Sequence, residues 1–262
     1  QSTHKQLKLK LYTTEKPKVN SLLNEIVCGD SLEIIKTIPD GTVDIILTSP
    51  PYNFEMDYDT HDDSQSIESY MSVLVSILTE CHRVLKDGGR MIINVQPNYK
   101  LKSPTHHLIT NAMTELGMIW RGEIVWLKNH LSKLTAWGSW KSPSCPYLSY
   151  PFEFIEVYSK TSLKHPGKSE DIDITKEEFI NFVNGHWTMT PETQMKKFNH
   201  PAMFPEELVE RCLKLFSFKN DVVLDPFNGA GTTTKVCSDL GRQYIGIDIS
   251  PEYCETAITR IN

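Results

Sequence analysis

The sequence lacks several features that would assign it quickly to a familiar class of protein. Its six cysteines are scattered singly, with no Cys-x-x-Cys pair, so the usual spacing of a metal site is absent and a disulfide framework is not expected. We therefore expect reduced cysteines in a cytoplasmic protein, and no metal. No apolar run approaches the ~20 residues of a membrane span, and no charged-then-apolar leader is visible. What remains is the composition of an ordinary globular protein without a membrane partner.

Charge is also modest and unevenly distributed. A net charge of −6 over 262 residues argues against a protein that coats nucleic acid indiscriminately, but a local basic face can still bind DNA. Acidic residues cluster at 57–63 and 170–178. Basic residues gather at 5–18 and again at Lys128, Lys133, Lys141, Lys196 and Lys197.

Short apolar runs alternate with amphipathic stretches, which predicts an α/β protein with a largely parallel sheet. Strands are expected at 25–28, 43–48, 91–95, 119–127, 152–158, 222–225 and 244–248. Helices are expected at 31–36, 66–85, 105–116, 176–183, 205–216 and 232–240 and after Pro251, with Lys86-Asp87-Gly88-Gly89 closing the second helix. The pattern fails at 130–151 and is weak at 159–200, so these stretches are candidates for specificity elements.

A strand–turn–helix near the C-terminus carries a ligand signal. In Asp225-Pro226-Phe227-Asn228-Gly229-Ala230-Gly231-Thr232, two glycines let the chain pass close beneath a ligand. The third glycine of the dinucleotide fingerprint is missing, and Asp225 would repel a pyrophosphate but suit a cationic amine. Asp248 ends the next strand, where a carboxylate can accept from two ribose hydroxyls. Together they predict S-adenosylmethionine; the alternatives are plain turn glycines and Asp248 as the N-cap of the last helix.

The strands that complete this pocket must come from the N-terminal half. Asp30 follows the strand at 25–28, where it can accept from an adenine amino group. The next strand delivers Thr48-Ser49-Pro50-Pro51-Tyr52, in which two prolines fix a rigid turn with outward carbonyls. A catalytic strand that precedes the cofactor strands describes a methyltransferase sheet in circularly permuted order.

The Ser49-Pro50-Pro51-Tyr52 loop suits transfer of a methyl group to an exocyclic base amine. Such an amine is a poor nucleophile, because its lone pair is delocalised into the ring. Acceptors at the Ser49 side chain and the Pro50 carbonyl would localise that lone pair and aim it. Tyr52 would stack on a base swung out of the duplex. The alternative is that Pro50 and Pro51 merely end a strand.

With these residues the chain resembles the DNA amino-methyltransferases of bacterial restriction–modification systems, specifically the permuted (beta) class. The resemblance covers nearly the whole chain. It is also carried by Gly29–Leu32, Arg83–Gly89, Trp126–Lys128, Glu153–Lys160, Trp187 and His200–Pro205. It implies a Rossmann-like α/β sheet with a core at 20–128 and 200–262, and an N-terminal extension at 1–19. The insert at 129–199, which includes a core strand near 152–159, would be mainly the target-recognition region.

The resemblance also implies roles for individual residues. Cofactor contacts are expected from Asp30, Ser31, Thr48, His200, Pro201, Ala202, Phe204, Asp225, Pro226, Phe227, Asn228, Gly229, Gly231, Thr232 and Asp248. Contacts with double-stranded DNA are expected from Asn53, Lys128, Trp137, Trp140 and Lys141. For Trp137, Trp140 and Trp187, core packing is the alternative. The acidic loop at 53–63 either closes over the flipped base or is an ordinary solvated loop.

The identity of the target base depends chiefly on Ser49. Ser-Pro-Pro-Tyr resembles the cytosine-N4 members of the family, whereas adenine-N6 members usually carry Asp at this position. We therefore predict methylation of cytosine N4, with adenine N6 as the alternative. A methyltransferase for RNA, protein or a small molecule and a non-catalytic DNA-binding subunit are the competing classes. A cognate restriction endonuclease and a second copy of the chain are compatible partners.

Overall fold

The computed structural model describes residues 10–11, 21–51, 63–97, 103–129, 138–191 and 204–262. Within them the chain forms nine strands in one sheet, of which only β6 runs antiparallel to its neighbours. The strands are β1 (Lys10–Leu11), β2 (Glu25–Cys28), β3 (Val43–Thr48), β4 (Leu85–Val95), β5 (Ile119–Lys128), β6 (Phe152–Ser159), β7 (His186–Met189), β8 (Val222–Asp225) and β9 (Gln243–Asp248). Their order across the sheet is β1-β2-β9-β8-β3-β4-β6-β5-β7.

Helices cover both faces of this sheet. They are α1 (Ser31–Ile35), α2 (Asp63–Val84), α3 (Thr105–Glu115), α4 (Lys176–Phe182), α5 (Glu206–Phe216), α6 (Thr232–Asp239) and α7 (Pro251–Ile261). Apolar residues of α1, α2 and α3 pack on one face, and those of α5, α6 and α7 pack on the other. Every residue of β3 is therefore buried, which explains why its sequence is a nearly continuous apolar run. The predicted α/β fold is confirmed.

The two strands nearest the C-terminus lie inside the sheet, between β2 and β3. In β9, Asp248 pairs with Cys28 of β2, and in β8, Leu224 pairs with Ile46 of β3. All these pairs are parallel, so the carboxyl ends of β2, β9, β8 and β3 meet side by side at one edge of the sheet. The strands to which the sequence analysis assigns the cofactor, the adenine amine and the catalytic loop therefore end at one edge of the sheet.

One local prediction is wrong, because Lys86–Gly89 does not form a separate turn after the second helix. The chain passes from α2 directly into β4, and these four residues bulge out of that strand. The bulge is visible in the pairing with β3, where Val43 lies opposite Leu85 but Ile45 already lies opposite Arg90.

A long-range contact explains why the helix can end without its own glycine cap. The ammonium of Lys160, which directly follows β6, donates to the carbonyls of His82, Arg83 and Leu85 at 2.7, 3.2 and 2.7 Å. Two of these carbonyls, those of His82 and Arg83, belong to the last turn of α2, where a carbonyl has no partner within the helix. The strand β7 is likewise absent from the sequence prediction. It is only four residues long, and it buries Trp187 in the core, so Trp187 does not contact DNA.

Candidate active site

Acidic and hydroxyl side chains converge where four neighbouring strands end. Asp30 directly follows Gly29 at the end of β2, Asp248 ends β9, Asp225 ends β8 and Thr48 ends β3. Parallel strands bring such ends together at the carboxyl edge of a sheet, which is where open α/β folds bind ligands. The structure therefore brings together four positions that lie far apart in the sequence.

Asp248 is held in place by backbone amides from both sides. Its Oδ2 atom accepts from the Gly229 amide at 2.8 Å, and its Oδ1 atom accepts from the Ser250 amide at 2.9 Å. The cap of α7 is not Asp248 but Ser250, whose side chain accepts from the Tyr253 amide. The alternative reading of Asp248 as the N-cap of the last helix is therefore wrong.

Asp225 is the most deeply buried carboxylate of this edge, with 2% of its surface exposed. Its Oδ1 atom accepts from the Thr48 hydroxyl at 2.6 Å and from the Phe227 amide at 3.0 Å. Burial raises the pKa of Asp225 to about 6, and the neighbouring Asp248 contributes in the same direction. Among the described residues, no Lys or Arg pairs with this carboxylate.

The turn between β8 and α6 depends on two glycines in the left-handed region. Gly229 has φ 50° and Gly231 has φ 83°, conformations that other L-residues adopt only with strain. A Cβ atom added to Gly231 would lie 2.5 Å from the Cβ of Ala257 in α7. Inside the turn, the Asn228 side chain accepts from Thr234 at 3.1 Å. The turn is therefore compact, and α7 packs directly against it.

Several of the predicted cofactor residues have structural hydrogen bonds in this edge. Asp30 caps α1 by accepting from the Glu33 amide at 3.0 Å. The buried Ser31 hydroxyl donates to the Pro226 carbonyl at 2.5 Å and so joins α1 to the glycine turn. Thr232, at the start of α6, accepts from Arg260 at 3.2 Å. These contacts position the turn, whatever else the side chains bind.

The Ser49-Pro50-Pro51 segment leaves β3 beside this group of acids. Pro50 is buried, and Ser49 and Pro51 are partly exposed. Because Thr48 is bonded to Asp225, the start of the segment is tied to the neighbouring strand. The predicted residues Tyr52, Asn53, Trp137, His200, Pro201 and Ala202 lie outside the described residues.

A buried polar cluster lies at the same carboxyl edge of the sheet, on the side of β3 away from β8. The Asn94 amide nitrogen donates to Glu153 Oε2 at 2.7 Å, and the Lys128 ammonium lies 2.5 Å from Glu153 Oε1. Lys128, predicted to contact DNA, is thus ion-paired, and its ammonium lies 5.2 Å from the centre of the Trp126 ring. Glu153 falls within a predicted stretch of family similarity, 153–160, whereas Asn94 carries no functional prediction from the sequence. The signal that could have found Asn94 is a polar residue inside an apolar strand.

The insert between β5 and β6 presents an exposed aromatic surface. Its described part, 138–151, has no helix or strand of three or more residues, as the sequence predicts, and is closed by a hydrogen bond from the Ser139 amide to the Cys145 carbonyl. Trp140 is 75% exposed, and the Lys141 ammonium lies 5.7 Å from the centre of its ring. Phe204, by contrast, is partly buried against the core.

One group of side chains with metal-binding chemistry occurs among the described residues, at the opposite edge of the sheet. It consists of Asp44, His165 and Asp221. Its carboxylates already have donors: Lys86 lies 2.8 Å from both oxygens of Asp44, and Asp221 lies 2.7 Å from the His165 ring nitrogen. We interpret this group as a structural polar cluster that joins β3, β8 and the segment after β6.

The chemistry of the carboxyl edge fits S-adenosylmethionine. A buried carboxylate without a cation, such as Asp225, favours a ligand that brings an ammonium group and disfavours a pyrophosphate. Asp248 and Asp30 offer acceptors at neighbouring strand ends, which suits the ribose hydroxyls and an adenine amine. All three carboxylates would accept hydrogen bonds from S-adenosylmethionine, a ligand that has no phosphate and so needs no phosphate-binding donor.

Comparison with known proteins agrees with this chemistry. A family model described as DNA methylase, the N6_N4_Mtase family, matches residues 43–259. The chain is 39% identical over 180 residues to the Type II methyltransferase M.MjaVI of Methanocaldococcus jannaschii, covering 68% of this chain and 90% of that protein. It is 29% identical over 251 residues to M.BglII of Bacillus subtilis, covering 90% and 68%.

Solved structures show the same architecture. TTHA0409 of Thermus thermophilus, a candidate DNA modification methylase complexed with S-adenosyl-L-methionine, superposes with a TM-score of 0.73 at 26% identity, over 90% of this chain and 94% of that one. The cytosine-N4-specific PvuII DNA methyltransferase shares the fold, with a TM-score of 0.71 at 18% identity, over 90% and 86% of the two chains.

The chain therefore belongs to the N6/N4 DNA methylase family. It is a site-specific DNA methyltransferase with a Rossmann-like α/β sheet, and its cofactor is S-adenosyl-L-methionine. In the part of the chain that the structure describes, no helix is both long enough and apolar enough to cross a membrane.

Proposed function

We propose that the chain methylates the exocyclic N4 of cytosine in duplex DNA, with Ser49-Pro50-Pro51-Tyr52 as the catalytic loop. The observation that carries the proposal is the 2.6 Å hydrogen bond between Thr48 and Asp225. It ties the residue before the loop to the acid that we assign to the cofactor's ammonium group. Methyl donor and methyl acceptor would then meet at the ends of two adjacent strands, β8 and β3.

The loop residues act by orienting the base amine. When bound, S-adenosylmethionine supplies an electrophilic methyl group on a sulfonium. The Ser49 side chain and the Pro50 carbonyl accept the two N–H groups of the amine, which localises the nitrogen lone pair. Pro50 and Pro51 contribute no backbone N–H, so no neighbouring donor competes for these acceptors. Preorganised acceptors near developing positive charge are usually a large term in catalysis. Tyr52 stacks on the flipped base, a contact worth ~1–3 kcal/mol.

Cytosine is proposed over adenine because Ser49 occupies the position where adenine-N6 enzymes usually carry Asp. Nucleoside analysis of DNA from a host that expresses the chain tests this choice directly. We expect N4-methylcytosine, and sequencing of the same DNA would give the recognition site. Recovery of N6-methyladenine alone would overturn the choice of base while leaving the DNA methyltransferase intact.

The catalytic loop is tested with the purified protein and labelled cofactor. Duplex DNA, RNA and protein are offered in parallel, and we expect label only in duplex DNA. Ser49→Ala combined with Tyr52→Ala should abolish this labelling while leaving cofactor binding measurable. Labelling of RNA or protein alone would contradict the proposed substrate, and undiminished labelling by the double variant would contradict the proposed loop.

We further infer that the chain is of the permuted class, since β8 and β9 lie between β2 and β3. The insert 129–199 would recognise the target site around the core strand β6, with Trp140 and Lys141 facing DNA; their exposure supports this assignment.

The name Type II methyltransferase, carried by relatives such as M.MjaVI, suggests a cognate restriction endonuclease. Protection of methylated DNA from an endonuclease that cuts at the sequenced site would test that partnership. The homodimer compatible with the sequence is tested by gel filtration of the purified protein.

A further inference from the structure

The buried polar cluster next to the catalytic loop contains an unsatisfied acceptor. Asn94 is 2% exposed, and its amide nitrogen donates to Glu153 Oε2 at 2.7 Å. Its other amide atom, Oδ1, is buried and has no hydrogen-bond partner among the described residues. A buried polar atom without a partner is costly, and in a native protein it calls for an explanation.

The orientation of the Asn94 amide is set by its neighbours. The ionised Glu153 carboxylate, paired with the Lys128 ammonium at 2.5 Å, can only accept hydrogen bonds. Asn94 must therefore turn its nitrogen toward Glu153, which directs Oδ1 away from β6. The Lys128–Glu153 ion pair thus fixes the orientation of the Asn94 amide, because flipping that amide would place its oxygen against the Glu153 carboxylate. We call this constraint the lock.

The strand register relates Ser49, the first residue of the catalytic loop, to this acceptor. Thr48 pairs with Ile93 in the parallel register of β3 and β4. Ser49 directly follows the last residue of β3, and Asn94 is the next residue of β4 after Ile93. Paired positions on adjacent strands point their side chains to the same face, and continuing this register by one residue would place Ser49 opposite Asn94 on one face of the sheet. β3 and β6 flank β4 on opposite sides, so an Oδ1 directed away from Glu153 faces the side of β4 on which β3 lies.

A serine that must accept from a base amine has a difficulty that a carboxylate does not have. Its hydroxyl carries a proton, which has to point to another acceptor before both lone pairs can face the amine. We propose that Asn94 is a positioning residue that accepts this hydrogen bond from Ser49 when the target base is bound. The chain Lys128–Glu153–Asn94–Ser49 would then polarise the Ser49 oxygen through consecutive hydrogen bonds. This inference rests on the proposed catalytic role of Ser49.

A double-mutant cycle tests the coupling. Asn94→Ala, Ser49→Ala and the double variant are compared by single-turnover methylation of duplex DNA that contains the sequenced site. Asn94→Ala should lower the rate roughly tenfold, the effect of one well-placed hydrogen bond. In the Ser49→Ala background it should cost nothing further, because its partner is already gone. Cofactor affinity should stay unchanged throughout. Rate losses that multiply in the double variant would overturn the proposal.

Glu153→Gln provides a second test that keeps the shape of the cluster. A glutamine amide can donate to Asn94 Oδ1, so the lock is lost and the amide can turn away from Ser49. We expect at least a roughly threefold slower rate with unchanged cofactor affinity, and no further loss when Ser49→Ala is added. Tyr158→Phe is the matched control. Tyr158 lies on β6, the strand of Glu153, and the change removes a partly buried 2.7 Å hydrogen bond to Thr110 of α3, far from the loop. It should leave the rate unchanged.

The outcomes separate the two proposals. If the unaltered protein methylates no DNA, or Ser49→Ala is as fast as the original, the proposed function of the loop fails. If Ser49→Ala slows methylation but Glu153→Gln and Asn94→Ala leave the rate at the level of Tyr158→Phe, only the positioning role of Asn94 fails.

Discussion

Replacing Asp225 with asparagine should stabilise the protein and weaken its cofactor binding at the same time. The carboxylate is 2% exposed, and burial raises its pKa from 3.8 to about 6. The folded protein thus holds this proton more tightly than the unfolded chain does. The contribution of Asp225 to stability is therefore most favourable below about pH 4, and it falls as the pH rises from about 4 to about 6.

The size of the effect follows from the gap between the two pKa values. About two units, at about 1.4 kcal/mol per unit, make ionised Asp225 cost about 3 kcal/mol above pH 6. Asparagine has no charge to bury and keeps an oxygen for the Thr48 hydroxyl, which donates to Asp225 at 2.6 Å. Asp225→Asn should recover up to about 3 kcal/mol at about pH 8 and nothing at about pH 4.

Urea unfolding at about pH 4 and about pH 8 measures this gain, and calorimetric titration with S-adenosylmethionine measures the loss. In the unaltered protein, cofactor affinity should fall as the pH drops through about 6, because the protonated acid no longer pairs with the ammonium. Asp225→Asn should bind weakly at every pH. Asp44→Asn is the control: this buried acid already pairs with Lys86 at 2.8 Å, so its loss should destabilise the protein. If Asp225→Asn behaves like Asp44→Asn and binds cofactor normally, the reasoning is refuted.

Three further predictions concern other parts of the chain. Burial, together with the Glu123 carboxyl, raises the pKa of Glu156 from 4.5 to about 8, so stability should fall as the pH rises between these two values. Glu156→Gln should remove that slope in urea unfolding and be the more stable protein above about pH 8. Gly231→Ala places a methyl group 2.5 Å from Ala257 at positive φ, and should lower the free energy of unfolding by more than about 1 kcal/mol. Trp140→Ala should weaken duplex binding about tenfold without changing cofactor affinity, and equal binding by fluorescence anisotropy would contradict its DNA-facing role.

The central part of this fold could be predicted because its signals are local. A strand followed by a glycine turn and a helix is encoded in contiguous residues, as at Asp225 to Thr232. The same holds for β3 and its two prolines. Parallel strands then allow only one edge at which these ends can meet, so the grouping of Asp30, Asp225 and Asp248 followed from their positions alone.

What the sequence could not reveal depends on contacts between distant residues. Gly88 and Gly89 predict a helix stop, but Lys160, more than seventy positions later, satisfies the end of α2 and lets the strand begin at once. The role of Asn94 likewise could not be predicted from the apolar run in which it lies. That role depends on its hydrogen bond to Glu153, which lies in a neighbouring strand but far away in the sequence. Local propensity carries no information about such partners.

The neutral side chain at position 49 is consistent with the electrostatics of the whole edge. The charge of Asp248 already adds to the upward pKa shift of the neighbouring Asp225. Another carboxylate one residue from Thr48 would add repulsion where a buried acid must ionise to hold an ammonium group. A serine offers an acceptor without that charge, but only if its proton has somewhere to go. The unsatisfied oxygen of Asn94, locked by Glu153, is the acceptor that makes an uncharged catalytic loop workable at this edge.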